Sequence, residues 1–578
     1  MCYRLFVSHR ALFVIFITLI LVLNVTFYLY YNETSYATTS GPVRKLTPPG
    51  DMGVLVRYDA SNPVITAEVK RTIVAQGLNE YASELVSVRR RLPDLRSWCC
   101  PKAYGHLFSA SLPATSIVIV FYNEAWSVLL RTVHSVLDRS PSHLVKEILL
   151  VDDYSNYPYL KTQLEEYFEP FPVVKIIRAK ERLGLIRARL MGAKEASADI
   201  VTFLDAHVEC TEGWLEPLLD VVARDPTNVA IPTIDRINEW NMSLQTNISL
   251  LLAGAFEWDL NFGWCERKHL RSVVDRRAEP WIRRSSCAAA GRHPGIDRKY
   301  TDPCEPFETP AMAGGLFTIH KTFFERIGWY DEGFIIYGME NIELSIKSWM
   351  CGGMMLTVPC SRVGHVEKHS HPYLFDVAMD LTMHNSARLA EVWMDEYKQV
   401  VFDVNGLPRY LEERFGSVEE RKQVRERANC KPFRYYLQRA FPELRSPAID
   451  GQFRGEVRNV ALERTYCLTV EKAGTRPYMS LCDGLEKTQY WSHSYYQDIS
   501  SYKVCLDFNG SLLTTAICHR QRGNQGWMYV KETGQIWSMA HTQCLAVGSR
   551  ANSTLVLKRC NASDQYQQWM VNLVAYDF

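Results

Sequence analysis

Ile200-Val-Thr-Phe-Leu-Asp205-Ala206-His207 is the stretch that decides how the middle of this 578-residue chain folds. A run of β-branched and large apolar residues reads as a buried strand, and this one stops in an acid and an imidazole. Two earlier runs share that form. Ser116-Ile-Val-Ile-Val-Phe121 stops in Tyr122-Asn123-Glu124, and Glu147-Ile-Leu-Leu-Val151 stops in Asp152-Asp153. Between those two, Trp126, Leu129, Leu130, Val133 and Leu137 recur at helical spacing. Strands alternating with helices predict an α/β sheet of mostly parallel strands, which takes ligands at the carboxyl ends of its strands. The acids stand at those ends.

Toward the C-terminus the pattern changes to a repeat. Cys467-Leu-Thr469, Cys505-Leu-Asp507 and Cys544-Leu-Ala546 each lead to a second cysteine and then to Gln489-Tyr-Trp491, Gln525-Gly-Trp527 or Gln567-Gln-Trp569. A unit of about forty residues, repeated three times, marks a repeat architecture. The copies resemble the ricin-type lectin β-trefoil, an all-β domain whose Q-x-W tryptophans fill a shared core while each cysteine pair closes one lobe.

Toward the N-terminus, Ala11 to Tyr31 carries no charge, and Arg4 and Arg10 precede it. As a helix it would span about 31 Å, against about 30 Å of hydrocarbon. Positive charge before the span keeps that end in the cytoplasm. The competing reading is a cleaved signal peptide, but Tyr28, Tyr30 and Tyr31 form an interfacial belt instead of a small-residue cleavage site. Residues 1–10 are thus expected to be a cytoplasmic tail, 11–31 a transmembrane signal anchor, 32–98 a polar stem, 99–443 the α/β domain and 444–578 the trefoil. Of sixteen cysteines all but Cys2 follow the anchor, as in an oxidising compartment. Five N-x-Ser/Thr triplets after the stem, at Asn241, Asn247, Asn509, Asn552 and Asn561, agree. Lys+Arg 65 against Asp+Glu 64 gives a net charge of +1, and no basic surplus calls for nucleic acid.

Asp205 and His207 at a strand end can point one carboxylate and one imidazole the same way, enough to begin a divalent-cation site. Alone, the triplet also fits a capping Asp beside a surface His. His365, in Pro359-Cys-Ser-Arg-Val-Gly364-His365-Val366, follows another strand and supplies a second imidazole. Ala313-Gly314-Gly315-Leu316-Phe317 offers close backbone approach.

The ordered motifs TSIVIVFYNEAWSVLL, KEILLVDDYSN, VTFLDAHVEC, MAGGLF, GMENIELS, CSRVGHV and AEVWMDEYK, with the lectin repeats, resemble the polypeptide N-acetylgalactosaminyltransferases from about Cys99 onward. That resemblance implies a GT-A (Rossmann-like) catalytic domain and a single-pass type II protein of the Golgi membrane with its catalytic domain in the lumen. It implies retaining transfer of GalNAc from UDP-GalNAc to Ser or Thr of peptide or glycopeptide acceptors, with Mn²⁺. Asp205, His207 and His365 would be the metal ligands. Asp152 or Asp153 and Arg182 would lie near the nucleotide. Ala313, Gly314, Tyr337, Glu340 and Asn341 would lie near the sugar, with Asp205, Glu340 and Asn341 the catalytic set. Lys368, His371 and Tyr373 would sit on the loop that closes over UDP.

Several positions depart from the family pattern. Tyr122 stands for His in F-H-N-E, Leu183 for Glu in R-E-G-L, and Met339 for the second Gly of W-G-G-E-N. Glu367 and Lys368 replace Phe and Arg in G-H-V-F-R-K. Met339 weighs most, because it places a side chain where backbone could approach the sugar. The alternative function is therefore a catalytically weak or inactive relative that binds GalNAc or glycopeptides. A transferase for another acceptor is disfavoured by the motif order.

The repeats suggest disulfides Cys467–Cys482, Cys505–Cys518 and Cys544–Cys560. The resemblance implies Cys351–Cys430 and a bond to Cys360 from Cys99 or Cys100. Cys210 and Cys265 are expected as buried thiols, and Arg271 to Pro306 as a solvated loop with a local bond between Cys287 and Cys304. In lectins of this type the Asp of C-L-D binds sugar hydroxyls. Only the second lobe has it, as Asp507 with His519 and Asn524, so one GalNAc site is expected there. Thr469 and Ala546 take its place in the other lobes.

Overall fold

The structure, a computed structural model, describes residues 48–104, 112–246, 251–266, 303–370, 378–405, 415–442, Leu444 and most of 452–571. The expected anchor at 11–31 lies outside them, as do His371 and Tyr373. Among the described residues no helix is long and apolar enough to cross a membrane.

The three runs form parallel strands as their composition requires: β1 (Thr115–Phe121), β2 (Val145–Asp152) and, after β3 (Val174–Arg178), β4 (Ile200–Asp205). Their alternate residues fill two cores. Val118, Leu149, Val201 and Phe203 face one side, while Ile117, Ile119, Ile148 and Leu204 face the other. Further strands are β5 (Val208–Cys210), β6 (Asn228–Ile237), β7 (Leu244–Gln245), β8 (Leu252–Phe256), β9 (Phe262–Glu266), β10 (Phe307–Glu308), β11 (Phe317–His320) and β12 (Met354–Val366). The main sheet runs β10-β12-β6-β11-β4-β1-β2-β3. The chain thus adds β2 and β3 on one side of β1 and then returns with β4 on the other. That reversal opens a crevice at the carboxyl ends of β1 and β4, where such sheets bind ligands.

The central strands are mostly parallel, as expected, but β11 runs antiparallel between β4 and β6, and β10, β5 and β7 pair antiparallel at the margins. β11 is reached through Ala313-Gly314-Gly315, and both glycines are needed. A Cβ on Gly314, whose φ is +98°, would sit 2.6 Å from the Asn341 Cβ. One on Gly315 would sit 2.0 Å from Asp205 Oδ2.

The second half of the expected stem is folded. Pro63–Gln76 is a helix with Asn62 capping its first amides, and Glu80–Glu84 is a second with Asn79 as cap. Val56, Leu78, Ala82 and Val86 pack with Val128, Ile237 and Val366 of the sheet domain. The stem assignment to residue 98 therefore extends too far. Val64 and Val74 point outward (both 74% exposed), which blurs the helical period.

The repeat folds as three similar lobes. Trp491, Trp527 and Trp569 are buried together with Leu468, Leu506 and Leu545. Each indole N–H donates to the carbonyl of one of those leucines, at 2.8, 2.9 and 2.9 Å respectively.

Cysteine pairing corrects two expectations. Cys99 bonds Cys304 and Cys100 bonds Cys360, so the adjacent pair straps two distant segments and Cys304 makes no local bridge. Cys265 is disulfide-bonded, not a free thiol. Cys210 is free and buried, and burial pushes its thiol well above the ordinary range. Cys351–Cys430 and the three lobe disulfides form as expected.

Candidate active site and sugar-binding lobe

His365 reaches the end of β4 because β5 folds back onto β12. Val208 pairs with His365, and the Val366 amide donates to the His207 carbonyl at 3.0 Å. The two imidazole centroids are 4.8 Å apart. His365 Nε2 lies 3.2 Å from Asp205 Oδ2, though 160 residues separate them. One ligand atom from each of Asp205, His207 and His365 lies within 4.8 Å of the other two. Two ligands at about 2.1 Å from one ion stand up to about 4.2 Å apart, so small rotations suffice to enclose a divalent cation. A carboxylate with two imidazoles is a donor set such an ion accepts.

Other side chains fix these three. Arg189, from the helix Leu185–Glu195, donates to Asp205 Oδ1 at 2.9 Å and reaches Glu340 Oε1 at 3.5 Å. Burial alone would push the Asp205 carboxyl up, but the His365 hydrogen bond and the Arg189 charge outweigh it and hold it well below the carboxylate range. His207 Nδ1 is 3.0 Å from Glu124 Oε2, which leaves Nε2 for a ligand. Burial and the Lys368 charge push this imidazole down against the pull of Glu124, so it is neutral near pH 7. Glu124 is buried, yet Lys368 and His207 bring its carboxyl down to about 2. Lys368 donates to both of its oxygens, at 2.8 and 2.9 Å. Lys368 is therefore a buried brace behind His207 in this structure.

Glu340 and Asn341 open the helix Glu340–Met350 beside the glycine turn. Glu340 Oε2 accepts the Gly338 amide at 2.9 Å, and burial raises its carboxyl despite Arg189. Asn341 donates to the Met312 carbonyl at 3.1 Å and packs on Gly314. Ala313 and Tyr337 are exposed. Met339 caps the helix at φ 72°, a left-handed conformation that favours glycine, and its side chain is buried in the large core cluster. Glu367 is also directed elsewhere, pairing with Arg236 at 2.6 Å.

At the ends of β1 and β2 the two candidate acids separate. Asp152 is fully engaged: its carboxylate accepts the Ser155 amide at 2.7 Å and Arg178 at 2.6 Å. Asp153 accepts the Leu183 and Gly184 amides and lies 3.3 Å from Arg182 Nε, while burial raises its carboxyl. Arg182 stays at the rim.

Sequence reasoning passed over Glu124, Arg189 and Asn385. Asn385 is buried and bonds the Ile335, Tyr337 and Gly338 backbone, which staples the turn before Glu340. Glu124 carried a signal, since it closes the same strand end as Tyr122. Arg189 and Asn385 looked like ordinary polar helix residues.

In the second lobe, Asp507 Oδ2 accepts from Asn524 Nδ2 at 2.7 Å and from Gln525 Nε2 at 2.9 Å. His519 Nε2 is 3.1 Å from Asn524 Oδ1, so the three expected residues form one cluster. In the first lobe Thr469 and Ser480 bond each other at 2.7 Å, and Gln489 closes on Ser480. Ala546 is buried in the third.

Comparison with known proteins agrees with this architecture. Residues 116–262 match the family model "Glycosyl transferase family 2", 296–372 match "N-terminal domain of galactosyltransferase", and 453–569 match "Ricin-type beta-trefoil lectin domain". The chain is 39% identical over 530 residues to polypeptide N-acetylgalactosaminyltransferase 5 of Caenorhabditis elegans, covering 90% of this chain and 79% of that one. It is 36% identical to polypeptide N-acetylgalactosaminyltransferase 6 of Bos taurus, covering 90% and 82%. Among solved structures, one of GalNAc-T7 with UDP, GalNAc and Mn2+ superposes with a TM-score of 0.67 at 29% identity, covering 92% and 94%.

Proposed function

Because this chain belongs to the polypeptide N-acetylgalactosaminyltransferase family, we propose that it transfers GalNAc from UDP-GalNAc to Ser or Thr hydroxyls of proteins, with Mn²⁺ held by Asp205, His207 and His365. The observation that carries this reading is the convergence of those three side chains at the reversal point of the sheet. When bound, the cation neutralises the charge that grows on the diphosphate as the glycosidic bond breaks.

The protein's own residues prepare that step. Arg189 and His365 keep Asp205 ionised, and Glu124 turns His207 Nε2 toward the ligand position. Asp153 and Arg182 stand where the nucleoside would lie, and Glu340 and Asn341 border the glycine turn that would face the sugar. Asp205 and Glu340 are both engaged by Arg189, which argues against either as a covalent nucleophile. Retention then arises by same-face attack. The acceptor oxygen bonds the anomeric carbon, the carbon–oxygen bond to the β-phosphate breaks, and the hydroxyl proton passes to that phosphate. His371 and Tyr373 belong to the segment that would cover UDP and keep water from the donor, while Lys368 braces Glu124 behind His207.

Asp507, His519 and Asn524 would bind GalNAc already on an acceptor, so the second lobe would recruit glycopeptides. Residues 11–31 would anchor the chain in the Golgi membrane with the rest in the lumen. The disulfides fit that oxidising address, and protease protection of the body in sealed vesicles tests it.

The activity is tested with the detergent-solubilised chain, UDP-GalNAc, Mn²⁺ and naked and GalNAc-bearing peptides. Transfer that disappears in Asp205→Ala supports the reading. GalNAc binding with no transfer and no donor hydrolysis would overturn it.

A further inference from the structure

The folded segment before β1 grips the strands that carry both imidazoles. The Arg90 side chain is 1% exposed and lies against Glu209, the middle residue of β5. Its Nε and Nη2 donate to the two oxygens of that carboxylate at 2.7 and 2.8 Å, a bidentate fork. Its Nη1 donates to the Gly50 and Met242 carbonyls at 3.1 and 2.8 Å. Every nitrogen of the guanidinium is thus engaged, and it ties three segments together.

Leu92, two residues on, meets the other half of the same cross-strand pair. Glu209 of β5 is level with Gly364 of β12, and a Cβ on Gly364 would lie 3.1 Å from Leu92 Cδ1. The next pair along is Val208 with His365. A further contact falls beyond His365. The Gly77 carbonyl accepts the His369 amide at 2.7 Å, and a Cβ on Gly77, whose φ is +72°, would lie 2.2 Å from the Ser370 carbonyl oxygen. The segment therefore touches the chain on both sides of His365, and it touches β5 two residues after His207.

β5 is three residues long and pairs with β12 alone, so side chains must hold its other edge. The helix Trp126–Arg139 supplies some of them. The Val208 amide donates to the Thr132 hydroxyl at 3.0 Å and the Cys210 amide to that of Ser135 at 2.9 Å, while Arg131 lies 3.3 Å from Glu209. Arg90 adds the tie to Met242, in the turn between β6 and β7, and β6 is the other neighbour of β12 at His365. Ligating groups must be held to within about 0.5 Å of their working geometry, so slack in β5 reads out as lost cation affinity.

We propose that Arg90 is a positioning residue for the cation site: by holding the Glu209 carboxylate it sets β5 against β12 and so fixes the spacing of His207 and His365. This rests on the cation reading above. The site then draws support from a stretch that the sequence led us to expect as stem.

The test titrates Mn²⁺ into the UDP-saturated, detergent-solubilised full chain by calorimetry. Arg90→Met is expected to weaken Mn²⁺ about tenfold, the lower end for loss of a partner behind the ligands. Arg90→Lys keeps the charge without the fork and is expected to weaken it about threefold. Hydrogen exchange without metal is the second readout. Amides of 206–210 and 363–368 should exchange about fivefold faster or more in Arg90→Met, while those of the second lobe stay within about twofold. If Arg90→Met does not fold, Arg90→Lys carries both measurements. Mn²⁺ affinity within about twofold of the parent, with only a lower melting temperature, makes Arg90 a purely structural residue and overturns the proposal. Weaker Mn²⁺ binding with unchanged exchange in β5 and β12 also overturns it. A parent that binds no Mn²⁺ with UDP present overturns the cation reading itself, and this proposal with it.

Discussion

The two candidate sites of this molecule are built in opposite ways. The proposed cation site joins Asp205 and His207 to His365, 160 residues after Asp205, and needs the fold-back of β5 on β12 to exist. The second-lobe site collects Asp507, His519 and Asn524 from one short stretch closed by the Cys505–Cys518 bond. In the first, charged groups are buried and cross-braced by Arg189, Glu124 and Lys368. In the second, one carboxylate receives two side-chain amides. A long-range site therefore depends on residues behind it, while a local one depends on little beyond its own lobe.

The largest expected effect sharpens that contrast. Asp205→Ala should lower transfer by about a thousandfold or more, since cation stabilisation of a leaving diphosphate is worth several kcal/mol. Glu124→Gln tests the support: it leaves every ligand in place, yet Mn²⁺ affinity should fall about ten- to hundredfold by titration. In the lobe, Asp507→Ala should cost about tenfold or more in GalNAc binding, the worth of charge-assisted hydrogen bonds. It should leave transfer to unglycosylated peptides unchanged, and Thr469→Ala should alter neither. A GalNAc affinity that falls with Thr469→Ala would break the one-lobe account.

Two smaller effects bear on the scaffold. Glu147, at the amino end of the sheet, binds Lys175, Ser197 and Ser116, which bring its carboxyl down to about 2 despite burial. The folded form thus holds this proton less well than the unfolded one. Its stabilisation is complete above the ordinary value of 4.5 and is lost as pH falls toward about 2. Glu147→Gln should flatten the fall in melting temperature across that window. Met339→Gly releases about 1–2 kcal/mol of left-handed strain but gives up about 1.5–3 kcal/mol of side-chain burial. The net loss should be about 1 kcal/mol, read from denaturant midpoints.

The same contrast explains what the sequence disclosed. Strand runs ending in acids announced the parallel sheet, and a threefold C-L…Q-x-W pattern announced the trefoil, because both signals are local and periodic. That Asp507, His519 and Asn524 lie together was legible for that reason. Glu124 and Arg189 were not, since a brace acts through a partner brought close only by folding. Nor was the pairing of Cys99 with Cys304, because adjacent cysteines offer no geometric preference until both segments are placed. Pro63–Gln76 escaped notice because two of its valines face outward.

Calorimetric titration of Mn²⁺ into the UDP-saturated chain is the most direct test of the central claim. One ion should bind the parent, and His365→Ala and Asp205→Ala should each abolish that binding while the fold persists. Undiminished Mn²⁺ binding in both variants would contradict the claim that these side chains hold the cation.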